Sequence, residues 1–110
     1  MSEWKSILVD WSKIDYGTRV KIAAACLSGD NLDKMALAEP ENSVLCAQIV
    51  KNPNTWPITL TFMAEKCMES VRMMVAADAR TPVETLKKML ESDESPAVRS
   101  AVSQNPNMAV

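Results

Sequence analysis

Histidine is absent from all 110 residues, which removes the side chain most often used near neutral pH as general acid, general base and metal ligand. Glycine occurs only at Gly17 and Gly29, so no GxGxxG or GxxxxGK[ST] loop can cradle a phosphate, and no GxSxG turn is present. No apolar run approaches the roughly 20 residues that cross a bilayer, and Met1 to Lys5 carry no basic head followed by an apolar block. A cytoplasmic protein with no membrane partner is therefore expected. Cysteine is sparse and odd in number: Cys26, Cys46 and Cys67 lie far apart without CxxC spacing, which predicts three buried reduced thiols acting as small hydrophobes. No metal and no cofactor are expected. A net charge of −2 gives no bulk attraction for a phosphate backbone, so nucleic acid is disfavoured as a partner.

What the chain does contain is a repeat. Counting 26 residues back from the stretch Val71 to Leu90 pairs Thr81 with Thr55, Thr85 with Thr59, Leu86 with Leu60 and Met89 with Met63. Counting 27 forward pairs Val71-Arg72 with Val98-Arg99, Val75 with Val102 and Asp78 with Asn105. Asn52-Pro53-Asn54 returns unchanged as Asn105-Pro106-Asn107. A fixed period in the twenties marks stacked supersecondary units that each contact only their neighbours. With 47% apolar and 24% charged residues and almost no glycine, those units are predicted to be helical. The expected fold is all-α, a short solenoid of paired helices with about three and a half repeats in one domain, 1–110.

Residues 1–14 are predicted to be a capping helix, with Trp4, Ile7, Leu8 and Trp11 on one stripe. Its two tryptophans either cover the first repeat or anchor a partner. The repeats follow at 15–40, 41–67 and 68–94, with a half repeat at 95–110. In the first, Asp15 caps a helix over 16–28 that Gly29 closes in a left-handed conformation. The run Ile22 to Leu27, apolar on every face, places that helix between neighbours. Asp30 then caps a helix from Asn31 to Glu39, stopped by Pro40. Later, Asn42-Ser43, Thr55, Thr81 and Ser95 are predicted N-caps, with Thr81-Pro82-Val83-Glu84 a capping box. Leu32, Leu60 and Leu86 should point inward in successive layers, together with Met35, Met63, Met89 and Leu90. The chain ends on half a unit, leaving Met108 and Val110 loose, which predicts weak homo-oligomer formation through 96–110.

A short helix, an Asn-Pro corner, a Thr-Pro start, a longer leucine-bearing helix, an acidic linker and then Val-Arg: this order resembles the leucine-rich repeat variant family. It is carried by Val71-Arg72, Val75-Ala76, Thr81-Pro82, Glu84, Leu86, Leu90, Ser92 to Ser95, Val98-Arg99 and Asn105 to Asn107, over roughly 42–110. The resemblance implies a right-handed solenoid whose short helices include 3-10 turns, and a role in protein binding. Some members are similar in carrying clustered cysteines for an iron-sulfur group, but no such cluster precedes residue 15, so that group is not carried over. Trp56 and Ala79-Arg80 depart from the pattern.

Carboxylate pairs such as Asp30 with Asp33, and Glu91 with Asp93-Glu94, fall at helix starts and linkers, where they serve as caps or solvated charge. No catalytic residue is assigned. The expected function is a non-enzymatic protein-interaction module, a small free-standing adaptor or inhibitor of a larger protein. Its predicted partner-binding residues are Arg72 and Arg99, stacked one repeat apart, and Trp56, which otherwise fills the groove between repeats. The alternative is a nucleic-acid-binding edge of Arg72, Arg99, Arg80 and Lys51. Against that edge, the two stacked arginines could equally form a structural ladder to acidic linkers such as Glu69 and Glu94.

Overall fold

The computed structural model describes residues 13–108; the predicted capping helix with Trp4 and Trp11, and the terminal Val110, lie outside them. Among the described residues there are seven α-helices and no strand: α1 Tyr16–Ala25, α2 Gly29–Ala38, α3 Ser43–Lys51, α4 Pro57–Lys66, α5 Glu69–Ala77, α6 Val83–Ser92 and α7 Pro96–Ser103. A 3-10 turn, Pro106–Met108, follows. The odd-numbered helices pack on one another in sequence, α1 on α3 on α5 on α7, and α2, α4 and α6 do the same beside them. Two helical layers therefore run along a line, and the molecule measures 45 × 22 × 16 Å. The short helices of each pair are α-helical, contrary to the expected 3-10 character; the Pro106–Met108 turn is of that type.

Between the layers, Leu32, Leu60 and Leu86 are each fully buried, as are Leu45, Val71 and Val98 from the facing row. Burying one such side chain contributes about 1.5–3 kcal/mol, and the 26- to 28-residue spacing repeats it in every layer. Two predicted core features are not found. Leu90 is partly exposed, because it lies one position round the helix from the buried Met89. The Ile22 to Leu27 run has a wet face: Ala24 and Ala25 are exposed, the helix ends at Ala25, and Leu27 stands 81% exposed in the corner. Met108 is not loose; it packs against the core.

Helix starts follow the predicted chemistry at three places. The side chains of Asp15, Asn42 and Ser95 accept from Thr18, Leu45 and Val98 N–H, and Pro96 occupies the first turn of α7. Pro57 does the same for α4. The others differ. Ser28, not Asp30, caps α2, which begins at Gly29 itself; Asp30 instead pairs with Lys34 one turn on. Thr55 and Thr81 are not caps. Their buried hydroxyls donate backward to the Ile49 and Val75 carbonyls at 2.5 and 2.6 Å, so α4 and α6 start after Trp56 and Pro82 without a side-chain cap.

That backward reach is part of a larger arrangement at the odd-to-even corners. The last carbonyls of a helix have no partner within it. Asn52, buried, donates through Nδ2 to Ala23 O at 2.9 Å and Cys26 O at 2.8 Å, at the end of α1. Its Oδ1 accepts from Asn54 N–H, fixing the turn. Asn105 repeats this on Ala76 O and Asp78 O, with Asn107 N–H on its Oδ1. The middle corner has Asp78 at that place, and a carboxylate cannot donate. Arg80 supplies the donors instead, reaching Val50 O at 2.5 Å and Asn52 O at 3.0 Å while Asp78 grips it at 2.7 Å. The Arg80 hydrogen bonds hold the Asp78 carboxyl below its ordinary range.

Even-numbered helices are joined by smaller polar stitches: Thr59 donates to Asp33, and the Thr61 and Thr85 hydroxyls bond at 2.7 Å. Asn31, at the matching place in α2, is buried with its side-chain amide unpaired among the described residues.

Replacing Asn52 by alanine leaves the Ala23 carbonyl without a donor and the Cys26 carbonyl with only the longer Asn54 contact, and is expected to cost about 1–3 kcal/mol. A urea unfolding curve measures it; a change below a few tenths would show that the corner amide does not hold the layers.

Candidate functional site

The predicted partner-binding residues do not share a surface. Trp56 immediately precedes α4, whereas Arg72 donates to the carbonyl of Cys67, which immediately follows α4. The ten-residue helix between those points spans about 15 Å, so Trp56 lies on one edge of the array and Arg72 on the other. Arg99 stays with Arg72 in one column, as predicted, but both are engaged. Arg72 forks onto Asp93 through Nε at 2.9 Å and Nη2 at 3.2 Å, and Arg99 donates to the Asp93 carbonyl. Arg19 makes the corresponding pair with Glu39 at 3.0 Å. The arginines thus form a ladder to the acidic linkers. The acid that Arg72 takes is Asp93, while Arg99 reaches only the Asp93 backbone, and neither takes the anticipated Glu69 or Glu94; Glu69 accepts from the Ser95 hydroxyl. Arg80, bound to the corner carbonyls, is on the edge opposite Arg72. The proposed cationic row of Arg72, Arg99, Arg80 and Lys51 is therefore divided between two edges.

Trp56 is explained by Gly29. A β-carbon at residue 29 would lie 2.2 Å from the indole Nε1 and 2.5 Å from Cδ1, so the ring rests directly on the glycine backbone of the preceding repeat. Gly29 was expected to close a helix in a left-handed conformation; it sits inside the first turn of α2, and its bareness makes room for the ring. The outer face of Trp56 remains 41% exposed.

The recess that sequence reasoning missed lies between α4 and α6 and runs to the Arg72–Asp93 pair, with a volume of about 520 Å³. Ala64 and Met89 supply its apolar floor. Lys88 and Glu65 bridge it at 2.9 Å; each stabilises the other's charge, lowering Glu65 and raising Lys88 from their ordinary pKa values. Such an exposed pair is screened by water and opens easily. Two further lining carboxylates, Glu84 and Glu94, are exposed and make no ion pair among the described residues. The sequence signal was present: Lys88 on the wet face of α6 meets the exposed Glu65 of α4. What it lacked was the spacing that opens a trough between them.

No group of three or more His, Cys, Asp or Glu side chains could hold a metal among the described residues. No helix among them is long and apolar enough to cross a membrane. Comparison with protein families, with curated proteins and with solved structures gives no match for this chain.

Gly29→Ala is expected to destabilise the protein by about 1–3 kcal/mol through collision with the indole. In a Trp56→Ala background the same change should instead stabilise it by about 0.5–1 kcal/mol, the ordinary helix advantage of alanine over glycine. A double-mutant cycle in urea reads the reversal of sign; equal effects in both backgrounds would show that the ring does not rest on residue 29.

Proposed function

We propose that the chain is a non-enzymatic protein-interaction module, an adaptor or inhibitor, that receives a cationic segment of another protein in the trough between α4 and α6. The observation that carries this reading is the pairing of an apolar floor with two uncompensated carboxylates, Glu84 and Glu94, at a recess of about 520 Å³. Apolar side chains of a bound segment would lie on Ala64 and Met89, and Lys or Arg side chains would meet the carboxylates. Opening of the exposed Lys88–Glu65 bridge adds a third acceptor. The resemblance to leucine-rich repeat variants, for which protein binding is the general role, agrees with this reading.

Arg72 has a supporting part here. Its guanidinium is committed to Asp93 and the Cys67 carbonyl, so it shapes the end of the trough and does not offer a free charge. Arg99 and Trp56 lie outside the trough lining. Nucleic acid is the weaker reading, because Arg72, Arg80 and Arg99 all spend N–H donors on protein oxygens.

A synthetic Lys/Arg-rich peptide with interspersed leucines, added to the labelled protein, is expected to shift the backbone amide resonances of residues 84–94, and a Glu-rich peptide of equal length is not. Reversing Glu84→Lys and Glu94→Lys together should weaken that binding by about tenfold or more, the equivalent of ~1.4 kcal/mol. Undiminished affinity in the double variant, or shifts confined to the Trp56 edge, would remove the trough from the proposal.

A further inference from the structure

The arginine ladder has one rung made of different material. In the first described repeat the rung is Arg19 with Glu39, and in the third it is Arg72 with Asp93. Cys46 precedes Arg72 by 26 residues and Cys67 precedes Asp93 by the same 26, so the second repeat puts two thiols where its neighbours put an ion pair. The geometry of the rung is kept. Cys46 Sγ lies 3.3 Å from the Glu39 carbonyl, at the even-to-odd corner where Arg19 and Arg72 also find backbone oxygens. Cys67 ends α4, as Asp93 ends α6, and its carbonyl accepts from Arg72 at 3.0 Å. Each sulfur is the strongest influence on the other's titration, and both thiols are free and buried, Cys67 with 4% of its surface open.

We propose that Cys46 and Cys67 are a site of reversible oxidation, where a small peroxide converts the thiol pair to a disulfide that covalently closes the second rung. The chemistry divides between the two sulfurs. The neighbouring Cys46 side chain and then the Arg72 guanidinium hold Cys67 below the usual thiol range, while the Cys67 side chain and then burial push Cys46 up. Cys67 is therefore the one of the two that more readily loses its proton to give the thiolate, the form that reacts with peroxide. Its sulfur attacks one peroxide oxygen; an S–O bond forms, the O–O bond breaks, and hydroxide leaves and takes up a proton. The Cys46 sulfur then displaces the second hydroxide from the sulfenic acid, giving the S–S bond. The thiols together lose two electrons and two protons, and hydrogen peroxide is reduced to two waters. Cys26 takes no part, since it follows α1 at the opposite edge, beside the Ser28 carbonyl.

The test treats the reduced full chain with equimolar hydrogen peroxide. The expected product is a monomer lighter by two hydrogen masses, with one peptide crosslink joining Cys46 to Cys67, Cys26 still open to alkylation, and full reversal by dithiothreitol. Its thermal midpoint should rise, because the unfolded chain now carries a closed loop. In Cys46→Ser the resolving sulfur is gone, and Cys67 is expected to gain a single oxygen as sulfenic acid without crosslinking. A native chain that leaves all three thiols alkylatable, retains oxygen on Cys67, joins Cys26, or links only between molecules would overturn the proposal.

Discussion

The structure depends on how each repeat finishes the helix of the repeat before it. An α-helix of eight to ten residues leaves a large fraction of its carbonyls unpartnered at its last turn, and α1, α3 and α5 all end at one edge of the array beside the following repeat. The donors come from one layer further on: Asn52 to α1, Arg80 to α3, Asn105 to α5. Because the donor sits in the next unit, no unit satisfies its own polar groups alone. Stacking is therefore required by hydrogen bonding as well as by the buried leucines, and each corner fixes the register of two layers at once.

The opposite edge is built on another principle, and that difference sets where binding is expected. There the contacts are side chain to side chain: Arg19 with Glu39, Cys46 with Cys67, Arg72 with Asp93. Backbone carbonyls at these corners are partly served by the same arginines, so the edge is held by exchangeable chemistry, ionic in two rungs and thiol in one. The trough opens beside the Arg72 rung. A rigid corner on one side and a side-chain ladder on the other give the trough a fixed floor with charged groups free to rearrange at its rim.

Much of this was legible in the residues. The 26- and 27-residue shifts located the layers, and the Asn-Pro-Asn corners and Asn42 and Ser95 caps appear where pattern and propensity put them. Leu32, Leu60 and Leu86 are buried in successive layers as their spacing required. The failures share a physical origin: the partner of each misread side chain lies a whole repeat away or behind it in sequence. Thr55 and Thr81 look like caps because the amide three residues on is the nearest donor, yet each hydroxyl donates to a carbonyl six residues back. Gly29 looks like a helix terminator until Trp56 of the following repeat is laid on it. Arg80 looks like a surface charge, since only its contacts with Val50 and Asn52 reveal it as the substitute for an asparagine. The thiol rung was hidden for the same reason: Cys46 and Cys67 are 21 residues apart in sequence and share one corner only after the array is stacked.

The claim that one donor per corner secures the preceding layer is tested most directly by exchanging the two solutions found in this chain. Arg80→Ala alone should lower the free energy of unfolding by about 1–3 kcal/mol, since Val50 O loses its donor and Asn52 O keeps only the Thr55 amide. Adding Asp78→Asn to that variant rebuilds the corner used at Asn52 and Asn105, and urea unfolding should show most of the loss recovered. A double variant no more stable than Arg80→Ala would contradict the account.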